Sequence, residues 1–246
     1  DKGYGHLTTR QNIQFNWPTL ISVPDILQEL AEVDMHAIQT SGSCIRNITT
    51  DEFAGAAGDE AIDPRPYCEL IRQWSTAHPE FDWLPRKFKI AITGAVSDRA
   101  ATAVHDIGIQ VHKDAGQTVC DFSVGGGLGR TPVVAALIKT GLPVSQLISY
   151  LESIMRVYNR FGRRDNKYKA RIKILVRAMT PDKFRDEVEE EWREVKKHGA
   201  ENNTLNLEKL TRAFKLPDLV EENFEPPSIE WKEEDSEFGK WLANNT

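Results

Sequence analysis

Leu84-Pro85-Arg86-Lys87-Phe88-Lys89-Ile90-Ala91-Ile92 alternates charge with hydrophobicity, and its reading decides the rest of the chain. Strand side chains point to opposite faces with a period of two. Lys87 and Lys89 therefore share one face while Phe88, Ile90 and Ile92 anchor the other. Two ammonium groups held side by side repel, and burying them without a counterion is costly, so the arrangement suggests an anion between them. Taken alone, a solvated strand face carrying two ordinary lysines explains the pattern better.

Two further segments change that balance. Leu7 to Phe15 also alternates, with Leu7, Thr9, Ile13 and Phe15 on one face and Thr8, Arg10, Asn12 and Gln14 on the other, which predicts a strand carrying Arg10. Gln39-Thr40-Ser41-Gly42-Ser43-Cys44-Ile45-Arg46-Asn47 reads as a polar loop ending in a guanidinium. Arg10, Arg46, Lys87 and Lys89 are thus candidates for one cationic site.

Composition bounds the partners. The chain has 246 residues, 40% of them hydrophobic, enough for a sizeable core in one large or two modest domains. With 31 basic and 37 acidic residues the formal charge is −6, which argues against nucleic acid as the main partner. No apolar run is long enough for a membrane span and no secretory signal is visible, so a soluble, cytoplasmic protein is expected. Cys44, Cys68 and Cys120 are widely separated, form no Cys-x-x-Cys pair, and fit a reducing compartment. Cys68 and Cys120 read as small buried residues, and Cys44 as packing or polar support beside the anion site.

The chain resembles the siroheme-dependent sulfite and nitrite reductases. Five words carry the resemblance in the family's order: Thr8-Thr9-Arg10-Gln11, Cys44-Ile45-Arg46-Asn47, Leu84 to Lys89, Gly125-Gly126-Gly127-Leu128-Gly129, and the basic stretch Arg163 to Lys173. The resemblance implies part of a six-electron reductase whose anionic substrate binds the iron of siroheme, which shares a cysteine with a 4Fe-4S cluster. It assigns the substrate oxygens to Arg10, Arg46, Lys87 and Lys89. Arginine offers a planar fork of permanent donors, while lysine delivers a proton when positive neighbours lower its pKa. The arginines would then orient and polarise the anion, and the lysines would protonate departing oxygens.

Siroheme carries eight carboxylates, and the resemblance places Arg86, Lys169 and Arg171 against them, with Asn47 and Thr9 as weaker candidates. Family members that reduce sulfite have lysine at the position of Lys89, whereas nitrite reductases tend to have asparagine. Sulfite is therefore the expected substrate, since a doubly charged anion gains more from an added cation. Nitrite reduction and a noncatalytic, truncated anion-binding module are the alternatives. The cluster ligands are expected in a C-terminal half outside this chain, and the electron donor is a flavoprotein subunit or ferredoxin.

The implied fold class is α+β. A partial ferredoxin-like half-domain over residues 1–40 precedes a mixed α/β siroheme- and substrate-binding domain over 41–200, and 201–246 forms a linker toward a second half. The opening Asp1-Lys2-Gly3-Tyr4-Gly5 leads straight into an element, as expected of a fragment. Periodicity predicts a helix from Ser22-Val23-Pro24-Asp25 onward, an extended segment at 36–38, a helix over 64–77 and a strand over 86–93. It predicts a hairpin of 107–112 with 118–124, then helices over 132–140, 144–159 and 181–197, a short helix over 206–214 and an extended linker over 221–227. The glycine loop should sit between a strand and a helix, where it either approaches a cofactor or makes a tight turn. His105-Asp106 opens a strand and is assigned a structural hydrogen-bonding role.

Overall fold

The computed structural model describes residues 3–197, 204–215 and 240. Chain contacts separate a unit over Asp1–Phe214 from one over Lys215–Thr246. The linker expected at 221–227 and the stretch from 238 onward lie outside the described residues, apart from residue 240. Among the described residues no helix is long and apolar enough to cross a membrane.

The chain opens on a two-stranded antiparallel ribbon, β1 (Gly5–Leu7) and β2 (Ile13–Phe15), followed by α1 (Val23–Ala31). The single strand expected over 7–15 is a hairpin instead. Its turn closes through Thr8 N to Asn12 O at 2.9 Å, with Gln11 at φ 56° and the Thr8 hydroxyl accepting from the amides of Arg10 and Asn12. Alternating polar residues mimicked a continuous strand because no glycine or proline marks the reversal. Arg10 therefore stands on a turn. Residues 36–38 form no strand.

A four-stranded sheet in the order β3-β4-β5-β6 forms the scaffold: β3 (Ile90–Thr93), β4 (Ile107–Asp114), β5 (Gln117–Val124) and β6 (Ala136–Pro143). β3 and β4 are parallel and the other pairs antiparallel. Ala115 and Gly116, both at positive φ, turn β4 into β5, the geometry that matches strand twist in a two-residue hairpin. Helices α3 (Leu147–Phe161), α4 (Ile172–Met179) and α5 (Pro181–Lys197) cover the sheet, while α2 (Arg65–Ser75) packs with α6 (Thr204–Phe214). The core contains Phe88, Ile90, Ile92, Ile107, Ile109, Phe122, Tyr150, Tyr158 and Phe184, all fully buried.

Two expectations change here. The helix over 132–140 is the edge strand β6: Ile138 is buried, whereas Val134 and Leu137 are 71% and 56% exposed. A short apolar run fits either period, and pairing with β5 decides it. The glycine loop accordingly joins two strands and has no helix N-terminus to offer. Its glycines serve close packing, since a Cβ on Gly126 would lie 2.5 Å from the His105 carbonyl oxygen. Helix α4, which begins at the end of the basic run, had no counterpart among the expected elements.

Candidate functional site

Beyond β3 the sheet is continued by residues 44–49. Arg46 N donates to Phe88 O at 2.8 Å, Phe88 N to Cys44 O at 3.0 Å, and Ile92 N to Thr49 O at 2.9 Å, in parallel register. This pairing sets Arg46, Asn47 and Thr49 beside Lys87 and Lys89. Phe88 is fully buried and the lysines on either side of it are half-buried, so the alternation expected from the sequence holds even though the regular strand starts only at Ile90.

The hairpin turn docks onto this edge. Arg10 Nη1 donates to the Thr49 hydroxyl at 2.9 Å and Nη2 to the Asn47 carbonyl at 2.5 Å. Asn47 returns the contact, its Nδ2 donating to Arg10 O at 2.7 Å. Arg10 Nε is buried with no hydrogen-bond partner, a donor aimed at nothing in the protein. Burial lowers the Arg10 pKa to about 10, with Arg46 and Arg171 acting in the same direction and Asp106 opposing them.

A cleft of about 710 Å³ opens here, within the usual range for small-ligand and cofactor pockets. Thr9, Arg10, Lys87, Lys89 and Arg171 line it, together with His105 and Leu128. Both lysines have lowered pKa values. Burial is the first cause; Arg171, Arg46 and Arg86 add to it at Lys87, and Arg10, Lys87 and Arg171 at Lys89, while Asp106 opposes the fall at both. A crowded set of cations whose two lysines have depressed pKa values is suited to holding an anion and giving it protons.

Asp106 is fully buried at the start of β4. Its Oδ2 accepts from Lys89 N at 2.8 Å, and its Oδ1 accepts from Arg171 Nε and Nη2 at 3.0 and 2.7 Å. The hydrogen-bonding role assigned to it from sequence is what the structure contains. His105 Nδ1 lies 2.7 Å from Ala101 O, and burial lowers its pKa to about 4, so the ring is neutral and donates from Nδ1. Sequence reasoning did not place His105 in the cleft, and no local pattern marks it there.

Four other candidates do not line the cleft. The Arg46 guanidinium is held by the Thr40 and Gly42 carbonyls, at 2.6 Å from Nη1 to Thr40 O. Asn47 braces the hairpin turn. Arg86 is half-buried, and Lys169 is exposed on the 3-10 turn Lys167–Lys169. The rest of the basic stretch is committed elsewhere: Arg163 pairs with Asp165, Arg164 donates to Trp83 O, and buried Lys173 donates to the Leu128 and Thr131 carbonyls.

The cation set and the orphaned Arg10 Nε fit a polycarboxylate cofactor with a bound oxyanion. A 4Fe-4S cluster does not fit. Cys44, Cys68 and Cys120 lie on separate elements, burial pushes all three thiols up, and no group of three or more potential metal ligands occurs among the described residues.

Residues 41–196 match the nitrite and sulphite reductase 4Fe-4S domain, and residues 1–33 match the nitrite/sulfite reductase ferredoxin-like half domain. Sulfite reductase (ferredoxin) 1 of Mycolicibacterium paratuberculosis is 32% identical over 189 residues, covering 76% of this chain and 33% of the relative. The assimilatory ferredoxin-dependent nitrite reductase of Haloferax mediterranei is 30% identical over 196 residues, covering 77% and 33%. The structure of the Mycobacterium tuberculosis NirA protein superposes with a TM-score of 0.71 at 30% identity, over 77% of this chain and 35% of that one. Dissimilatory sulfite reductase I shares the fold at 10% identity, with a TM-score of 0.60 over 76% and 62% of the two chains. The chain spans about a third of the length of the curated relatives it matches.

Proposed function

The chain belongs to the nitrite and sulphite reductase family, whose cofactors are siroheme and a 4Fe-4S cluster, and from that premise we propose that its cleft forms the siroheme and oxyanion site of a sulfite reductase. The observation that carries this reading is the convergence of Arg10, Lys87, Lys89 and Arg171 on one cleft, with Arg10 Nε left unpaired. Residues 1–40 act as the ferredoxin-like half-domain and 41–200 as the cofactor domain. The cluster thiolates come from outside this chain, and ferredoxin, which the relatives' names specify, is the electron donor.

Siroheme, when bound against these cations, would supply the redox chemistry that delivers electrons to the anion. Arg10, on the cleft wall, orients one substrate oxygen and polarises it. Lys87 and Lys89, their pKa values already depressed, donate protons to oxygens that leave as water. Arg171, pinned by Asp106, presents its free edge to a cofactor carboxylate, and Thr9 adds a hydroxyl at the rim. Arg46 acts through the field it adds to Lys87 and Arg10, and Arg86 and Lys169 meet cofactor carboxylates at the periphery.

Lys89 favours sulfite over nitrite because the second negative charge of sulfite interacts with it in a partly desolvated cleft. The test is Lys89→Asn in the complete enzyme: sulfite turnover falls relative to nitrite turnover. Unchanged turnover of both anions would contradict the assignment. Nitrite as the main substrate remains the second reading, supported by the nitrite reductases among the relatives.

A further inference from the structure

Five cations line the cleft; Arg99 pairs with Asp51 and Asp59, and of the other four, Arg171 and the Lys89 backbone are held by one buried carboxylate. Among the described residues, Asp106 is the only carboxylate hydrogen-bonded to any of Arg10, Lys87, Lys89 or Arg171. Its two oxygens are divided between elements: Oδ2 takes the Lys89 backbone N–H and Oδ1 takes Arg171 at the start of α4. The Asp106 carbonyl accepts Gly125 N at 3.0 Å, and the Lys89 carbonyl accepts Ile107 N at 3.2 Å. One residue thus joins the lysine segment, the glycine loop and the arginine wall.

We propose that Asp106 is the positioning residue of the cleft: its two carboxyl oxygens fix Arg171 and the Lys89 backbone and set one carboxylate among the cleft's cations. The proposal rests on the oxyanion reading of the cleft and deepens it.

The electrostatics agree with the geometry. Burial raises the Asp106 carboxyl above the ordinary carboxylate range, and Arg171 and Lys89 oppose that rise without cancelling it. Its charge in turn raises Lys87, Lys89, Arg10 and Lys173 against their burial and their like-charged neighbours. The charged and titratable groups facing it are Arg171 and Lys173 from α4 and its start, Lys87 and Lys89 before β3, Arg10 from the hairpin, and Tyr158 from α3. Without Asp106 every charged neighbour in that set is a cation. Two lysines meant to donate protons would then lose them at lower pH.

Asp106→Asn keeps the shape and one acceptor but removes the charge. In the full chain, NMR titration of Lys87 and Lys89 through their side-chain carbons next to nitrogen reads the effect. Both midpoints fall in the variant, the alkaline limb of sulfite binding moves to lower pH, and Asp106→Glu recovers part of each shift. Unmoved midpoints and an unmoved limb in a folded Asp106→Asn variant would overturn the proposal. If that variant does not fold, the unchanged chain decides: ionisation of the Asp106 carboxyl group, read from its carboxyl carbon, must register as a step in both lysine signals, and its absence overturns the proposal equally. Failure of sulfite to bind the unchanged chain contradicts the oxyanion reading alone, and the lysine midpoints still decide the role of Asp106.

Discussion

The Phe88 ring meets the Tyr158 ring at a centroid distance of 5.1 Å and an interplanar angle of 44°, both residues fully buried. That contact clamps the residue between the two lysines onto α3, so the backbone cannot rotate Lys87 and Lys89 out of the cleft without opening the core. The Tyr158 hydroxyl also donates to Ala170 O at 2.8 Å, next to Arg171. One aromatic pair therefore supports both walls of the cleft.

Phe88→Ala leaves a cavity at this contact and should cost about 3–5 kcal/mol of stability. Tyr158→Phe keeps the ring but strands a buried carbonyl, costing about 1–3 kcal/mol. Urea unfolding of the full chain measures both, and equal losses would show that the ring contact is not what anchors the lysine segment.

Arg10→Lys removes the fork that grips Thr49 and Asn47 together with the unpaired Nε. Sulfite affinity should fall about tenfold, the value of one charge-assisted hydrogen bond of roughly 1.5 kcal/mol. Calorimetric titration of the full chain checks this, and affinity equal to that of the unchanged protein would remove Arg10 from the site.

His105 gives stability a definite pH slope. Its folded pKa, lowered to about 4, lies below the ordinary value of 6.5, so between those values the unfolded chain binds more protons than the folded one. Its contribution is fully present above 6.5 and is lost as pH falls toward 4. Denaturant unfolding across that range should show a loss for the native chain that exceeds the loss for His105→Gln, and parallel curves would mean the ring is not held neutral.

Legibility followed the clarity of the local period. The Lys87/Lys89 alternation was readable because Phe88, Ile90 and Ile92 share one buried face, and the β4–β5 hairpin because Lys113 to Gln117 carries turn chemistry. Strand β6 was not, since Val134, Leu137 and Ile138 satisfy helical spacing on an edge where only Ile138 is buried. Helix α4 shows just Ile172, Lys173 and Val176 buried, too few positions within Lys/Arg to announce a stripe. At the site, Arg10, Lys87, Lys89 and Arg171 were named from sequence and meet in the cleft. Arg46 was also named, but its guanidinium turns to carbonyls of its own loop, a choice of partner that spacing does not encode.

Absorption spectroscopy of the purified full chain after addition of siroheme tests the central claim most directly. A Soret band should appear and shift when sulfite is added, with a weaker shift in Arg10→Lys and Lys89→Asn. A chain that gives no Soret band, or one whose band sulfite leaves in place, would contradict it.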